Sequence, residues 1–246
     1  MDAWPMNTPG FNTLIVQNSR LRGYRTSSIS VILYTMEQSK QQRLEKQLRA
    51  YLPEGYEPMV AGLLVKYPVR FAITAPRSTK LGDYRPPFGA EKHHRISVNG
   101  DLNKYSFLIT TLHEFAHLET FVRYGRKVKP HGEEWKQTYR EMLWPAIASG
   151  NLPKPIEHAL MKSLTNTKAS SCSDTQLSRV LRQFDTKKDD ALTLEELPKN
   201  ATFALQGRHF RKGELRRTRF MCEEIASKRN FLIHALATVN HIEHGE

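Results

Sequence analysis

Leu112-His113-Glu114-Phe115-Ala116-His117-Leu118 is the stretch on which the reading of this chain turns. Two histidines four positions apart lie on one face of a helix, about 6 Å from each other along its axis. At that separation both imidazoles can reach one zinc ion at roughly 2.0–2.1 Å. Glu114 directly follows the first histidine, so its side chain leaves the helix about 100° further round. From there it can reach a water on the metal without being a ligand itself. H-E-x-x-H on a helix therefore points to a zinc site with its own general base. Taken alone, the pattern also fits two histidines satisfied in a core or on a surface.

The flanking sequence reads as the carrier of this motif. Asn103 or Asp101 can cap a helix running from about Asn103 to Tyr124, and Gly125 stands where a C-terminal glycine belongs. Leu108, Ile109, Leu112, Phe115, Ala116 and Val122 fall on one arc of the helical wheel, with His113 and His117 beside it. Gly125 to Pro130 turns the chain, and His131-Gly132-Glu133-Glu134-Trp135 opens a second helix with two acids at its positive end. Trp135, Tyr139 and Met142 form that helix's buried stripe, and Pro145 is expected to stop it. A short connection of this kind can return His131 to the histidine pair. Three neutral imidazoles with an open fourth position suit a catalytic zinc, whereas structural sites are usually closed by four protein ligands.

With those residues in view, a resemblance emerges. The motif His113-Glu114-Phe115-Ala116-His117, then Tyr124-Gly125-Arg126, then His131-Gly132-x-Glu134-Trp135, resembles the SprT-like metalloprotease family, which includes the Spartan-type proteases of DNA–protein crosslink repair. Arg77 to Arg85 and Ile96-Ser97-Val98-Asn99 are similar to the strand region of such domains. The resemblance covers about residues 36–150. It implies an α+β, zincin-like domain in which helices pack with a small antiparallel sheet. It also implies zinc held by His113, His117 and His131, with Glu114 as the catalytic base. The activity it implies is peptide-bond hydrolysis in protein substrates, among them DNA-associated proteins or DNA–protein crosslinks. Many SprT proteins end in a cysteine zinc ribbon, and this chain lacks the cysteines for one. Its tail resembles that of a shorter bacterial SprT-like subgroup.

Composition bounds the remainder. The 246 residues suffice for one good core and a smaller appended module. A hydrophobic content of 39% with 25% charged residues fits a soluble globular protein. The formal charge of +12 favours a polyanionic partner, nucleic acid first and an anionic membrane surface second. A merely solvated basic surface is the plain competitor. Cys172 and Cys222 are far apart and form no C-x-x-C pair, which argues against a disulfide framework and suits a reducing, cytoplasmic setting. No apolar run reaches the roughly 18 residues that a membrane span needs.

Along the chain, residues 1–35 contain Pro5, Pro9, Gly10 and several Asn without helical periodicity, and read as a disordered extension. Translation from Met36, or a short added strand, are the competing readings. Helices are expected from Glu37 to Leu52 and from Glu57 to Tyr67, and a strand over Val69 to Thr74. A loop follows over Pro76 to Gly89, then a strand over His94 to Val98. The metalloprotease domain thus spans 36–150. Residues 151–200 read as a linker with short helices near 156–161, 176–184 and 193–197. Asp185, Asp189 and Glu196 there occupy positions 1, 5 and 12 of an EF-hand loop. Lys187 and Asp190 stand where a ligand and a glycine are needed, which favours an ordinary acidic turn.

Residues 201–246 read as a small basic β-rich domain, with strands at 203–205, 209–211, 215–222 and 231–239 and turns at Gln206-Gly207 and Lys212-Gly213. Between 208 and 219 stand Arg208, Arg211, Lys212, Arg216, Arg217 and Arg219 against the single acid Glu214. Arg217 and Arg219 alternate with Phe220 and Cys222, so they are expected on one face. A basic strand beside His209 and Phe210 can track a phosphate backbone, with single-stranded DNA as one candidate partner. Charge that protects a solvated edge strand from aggregation is the alternative.

Two function classes follow. One is a zinc peptidase whose His94–Val98 strand pairs with an extended substrate. The other is a nucleic-acid-binding protein with a structural or inactive zinc site. The intact Glu114 favours the first, since a structural site does not need that carboxylate. Tyr84, Arg85 and Tyr139 are candidates for stabilising an oxyanion, and none stands out.

Overall fold

A computed structural model describes residues 27–77, 80–165, 174–185 and 192–242, in two compact units that divide between Ser171 and Cys172. The first unit opens with two helices packed on each other, α1 (Ser27–Leu48) and α2 (Glu57–Lys66). Good helix formers fill α1 from Glu37 onward, and it buries Leu44 and Leu48. Gly55, at φ +89°, makes the turn into α2. The helix expected from Glu37 thus begins ten residues earlier, so Met36 lies within it. Local composition underrated Ser28 to Tyr34, whose β-branched residues weigh only weakly against helix. The remainder of the expected extension, residues 1–26, lies outside the described residues, as does Cys172.

Three strands follow, β1 (Val69–Thr74), β2 (Gly82–Arg85) and β3 (His94–Asn99), in the order β1-β3-β2. β1 runs parallel to β3, with Val69 opposite His94 and Thr74 opposite Asn99, and β2 runs antiparallel to β3. The sheet is therefore mixed, where a wholly antiparallel one was expected. β3 is its central strand, so the His94–Val98 stretch offers no free edge. The open edge on that side belongs to β2, which falls within the stretch read as loop. Gly82 and Asp83 are weak strand formers, and β2 exists because of what holds it. Asn99, buried, donates from Nδ2 to the carbonyls of Arg77 and Lys80 at 3.1 Å each, and its Oδ1 accepts from Arg77 Nε at 2.7 Å. That ties the approach to β2 against the end of β3.

The long helix α3 (Lys104–Tyr124) packs on β2, β3 and α4 (Glu133–Ala148), and α5 (Lys154–Thr165) completes the unit. Asn103 caps α3, its Oδ1 accepting the Ser106 N–H at 2.9 Å, and Gly125 ends it at φ +73°. Phe71, Phe107, Phe115, Leu108 and Leu112 meet in the core. Phe71 lies 6.4 Å from Phe115 and 6.5 Å from Phe107, ring centre to ring centre. Val122 departs from the expected arc and is exposed. The last turns of α3 instead bury Glu119, which accepts hydrogen bonds from Tyr67 and, at 2.8 Å, from Arg123. Pro145 does not end α4, which continues to Ala148. It sits in the final turns, where a proline forfeits one main-chain bond and its ring can face outward.

The second unit contains α6 (Thr175–Arg182) and an antiparallel sheet of β4 (Thr202–Leu205), β5 (Arg208–Arg216), β6 (Arg219–Glu224), β7 (Asn230–His234) and β8 (Asn240–His241), in the order β7-β6-β5-β4-β8. Leu194, Leu197, Phe203, Phe210, Cys222, Ile233 and Val239 form its core. The strand expected over 215–222 is broken at Arg217, which takes φ +59° in the β5–β6 turn. The turn expected at Lys212-Gly213 is instead an irregularity in the β5–β6 register. There a Cβ on Gly213 would stand 2.2 Å from the Met221 carbonyl oxygen. Residues 193–197 form a turn rather than a helix, held by Glu196, whose carboxylate accepts from the Thr193 N–H and hydroxyl at 2.6 Å each. That carboxylate is engaged in a local turn, and Lys187, Asp189 and Asp190 of the EF-hand-like stretch lie outside the described residues. No helix among the described residues is long and apolar enough to cross a membrane.

Phe115→Ala removes the ring that ties α3 to β1 and to Tyr67. It should lower the stability of the first unit by about 3–5 kcal/mol, read as a shift of its urea-unfolding midpoint.

Candidate metal centre and general base

The spacing read from the sequence brings three imidazoles together. His113 Nε2 lies 3.2 Å from His117 Nε2 and 3.2 Å from His131 Nε2, and the last two are 3.0 Å apart. A triangle this small has corner angles near 60°, so no ring can aim an N–H at one neighbour and a lone pair at the other with acceptable geometry. The three nitrogens converge as acceptors on a common point. Tetrahedral zinc at roughly 2.05 Å needs ligand nitrogens about 3.3 Å apart, and the triangle fits that requirement closely. With Nε2 as the donor atom, the ring proton resides on Nδ1.

The elements explain the convergence. His113 and His117 are successive-turn neighbours on α3, whose ends are fixed by Asn103 and Gly125. His131 arrives from the loop before α4 at φ +58°, a left-handed conformation that only short polar residues adopt without much strain. The Gly132 N–H closes this turn on the Lys129 carbonyl at 2.9 Å. Trp135, fully buried on α4, lies 4.6–5.1 Å from all three rings, centre to centre. By its spacing it belongs to the buried stripe of α4. The H-G-x-E-W spacing, which sets Trp135 in the first turn of α4 four residues after the third ligand, is the signal that it also forms a wall of the site.

Burial sets the electrostatics. It pulls the His113 pKa to about 2, helped by the two neighbouring imidazoles, and His117 to about 4, helped by His131. It lowers His131 as well. All three rings therefore stay neutral and keep their lone pairs, as metal ligands must. Glu114 is pushed in the opposite sense, to about 8, by burial first and by the nearby Asp83, with Arg77, Lys80 and the Tyr84 N–H opposing. Tyr84 stacks on His117 at 6.2 Å, and its hydroxyl bonds to His94 Nδ1 at 2.9 Å. Arg85 pairs with Asp83 at 2.8 Å, and Tyr139 packs on Trp135 at 4.9 Å.

The SprT-like family matches residues 65–153 of the chain. The SprT-like segment takes in the mixed sheet, α3 and α4, and with them His113, Glu114, His117 and His131. The match suggests a metalloprotease-like domain, and the three histidines lie close enough together to hold a metal. No curated protein and no solved structure matches the chain.

The six basic residues read together near the C-terminus are not brought together. Lys212 is 5% exposed, with its ammonium donating to the Glu195 carbonyl at 3.1 Å and to the Leu197 carbonyl, over the Phe220 ring. It is a core residue, because β5 turns it inward beside Cys222. Arg208 pairs with Glu224 at 2.5 Å and lies over Phe231, and Arg211 pairs with Glu223 at 3.6 Å. Arg216, Arg217 and Arg219 are exposed around the β5–β6 turn. Phe210 is buried and cannot stack on a base.

Three ligands, with no fourth protein donor in the cluster among the described residues, make each histidine indispensable. After dialysis, His131→Ala should lose the about one zinc per chain that the intact triangle retains, measured by atomic emission.

Proposed function

We propose that this chain is a zinc-dependent peptidase acting on protein substrates, DNA-associated proteins or DNA–protein crosslinks among them, through a zincin-like SprT-like domain. The observation that carries this reading is the three-nitrogen triangle, two of whose ligands share α3 with the buried Glu114. His113, His117 and His131 would hold the metal. A zinc ion in such a site lowers the pKa of water toward about 7 and polarises a carbonyl. Glu114 takes a proton from the attacking water at its carboxylate and returns it to the leaving amide nitrogen. A carboxylate whose burial raises its proton affinity suits a group that must take and then return one. Trp135, packed on all three imidazoles, and Tyr84, stacked on His117, wall the site. An extended substrate pairs with the open edge of β2, where main-chain bonds impose little sequence preference.

Glu114→Gln keeps the three ligands and removes the base. Its zinc content should match wild type while cleavage of a denatured protein falls by about 10²–10⁴-fold. Cleavage at the wild-type rate sinks the peptidase reading.

A second reading concerns the C-terminal sheet as a nucleic-acid contact. It is favoured by the exposed Arg216, Arg217 and Arg219, for which no ion pair occurs among the described residues, on one tight turn. If that turn holds single-stranded DNA, replacing all three by alanine weakens binding and flattens the salt dependence of log K by about 0.7 for each phosphate no longer neutralised. Fluorescence anisotropy against salt concentration measures both. An unchanged slope excludes the turn as the binding surface.

A further inference from the structure

The register of β2 fixes where its backbone groups point. The Asn99 N–H donates to the Leu81 carbonyl at 2.9 Å, and Asp83 and Arg85 stand opposite Ser97 and Arg95. Alternation along an antiparallel ladder then bonds residues 81, 83 and 85 to β3. It turns the N–H and C=O of Gly82 and Tyr84 outward, to the open edge. The same alternation puts the side-chain positions of 82 and 84 on one face, where the Tyr84 ring lies parallel to the His117 imidazole.

Glu114 reaches this edge from α3. The outward N–H of Tyr84 acts on its carboxylate and favours the charged form. The Glu114 side chain also fills the space above Gly82, where a Cβ would stand 2.5 Å from Glu114 Oε1 and 2.8 Å from Glu114 Cγ. Thr110 Cγ2 bounds the same space at 2.8 Å. Gly82 is not among the positive-φ residues, so its backbone conformation does not call for glycine. The close approach of the Glu114 side chain does.

We propose that Gly82 and the Tyr84 N–H are positioning groups for Glu114: the edge strand grips the base by one main-chain donor, in a space that only glycine leaves open. One carboxylate oxygen is committed to the strand, and the other is thereby aimed for proton transfer. The grip is a matter of geometry alone; its consequence for turnover rests on the peptidase reading. A main-chain donor suits this task, because it cannot rotate away and its place is set by the β2–β3 ladder. The strand that receives substrate is then also the strand that orients the base.

Amide hydrogen exchange, resolved by residue in the full-length chain, tests the grip without any turnover. The Tyr84 amide has no strand partner, so its protection depends on Glu114. In Glu114→Ala it should exchange at least about tenfold faster than in wild type. Glu114→Gln keeps an acceptor oxygen and should retain most of the protection. The Asp83 and Arg85 amides, bonded to β3, should not change in either variant. Tyr84 exchange that is unaltered in Glu114→Ala overturns the proposal.

Gly82→Ala is the second arm. It should keep the wild-type zinc content, lose Tyr84 protection and lower kcat at least about tenfold. Full protection together with full kcat in Gly82→Ala overturns the role given to Gly82. A chain that cleaves nothing, yet shows Glu114-dependent protection at Tyr84, overturns the peptidase reading and leaves the grip standing.

Discussion

Three imidazole nitrogens held 3.0–3.2 Å apart in a largely buried site are the constraint around which the first unit is built. Without a cation or a shared proton between them, such lone pairs repel one another, and burial denies the rings protonation as an escape. The fold must therefore fix the rings from outside. It caps α3 at both ends, forces His131 into a left-handed turn, and lays the buried Trp135 against all three imidazoles. Each device costs something locally. Positive φ at a histidine is strained, and a tryptophan among polar rings gives up part of its value as a core residue. These costs have a common reason only if the triangle has a ligand.

The parts of this arrangement that sequence could reveal are those set by short-range geometry. Spacing of four on a helix decides that His113 and His117 share a face, and Asn103 and Gly125 mark the helix ends by local chemistry. The parts that stayed hidden are set by distant partners. Nothing in Gly82-Asp83-Tyr84-Arg85 alternates like a strand. It becomes one because β3 offers a ladder and Asn99 anchors the chain that leads in. For the same reason the central place of β3 could not be read from its own residues. Helix α1 failed differently, since its first residues look strand-like by composition while their backbone is helical.

The second unit shows how poorly a count of charges maps a surface. Lysine is among the residues least often buried, yet Lys212 lies in the core because two main-chain carbonyls and an aromatic face replace its water. Arg208 and Arg211 face glutamates of β6 across the ladder, so much of their field is cancelled within a few ångströms. What acts on a partner within a Debye length of about 8–10 Å is the uncompensated charge at the β5–β6 turn. The net charge of +12 therefore favours anions over the molecule as a whole, while only a small part of this sheet directs them.

The base and two of the ligands ride on one helix, but they are not secured by the same neighbours. His113 and His117 are held by the packing of α3 and α4, whereas Glu114 is held by β2. Distance between base and metal site is consequently a matter of how α3 sits on the sheet. That seating depends on residues which touch neither group. Asn99 fixes the loop that delivers β2, Arg77 joins the same network through Ser97 at 3.0 Å, and Lys80 clasps Asp83 at 2.8 Å. Arg77, Lys80 and Asp83 are also the charges that act on Glu114. One short loop thus sets both the position of the base and the field around it. A change there would disturb the base while leaving the histidine triangle whole. Metal retention and proton transfer are therefore separable properties of this fold, although their residues are adjacent in sequence.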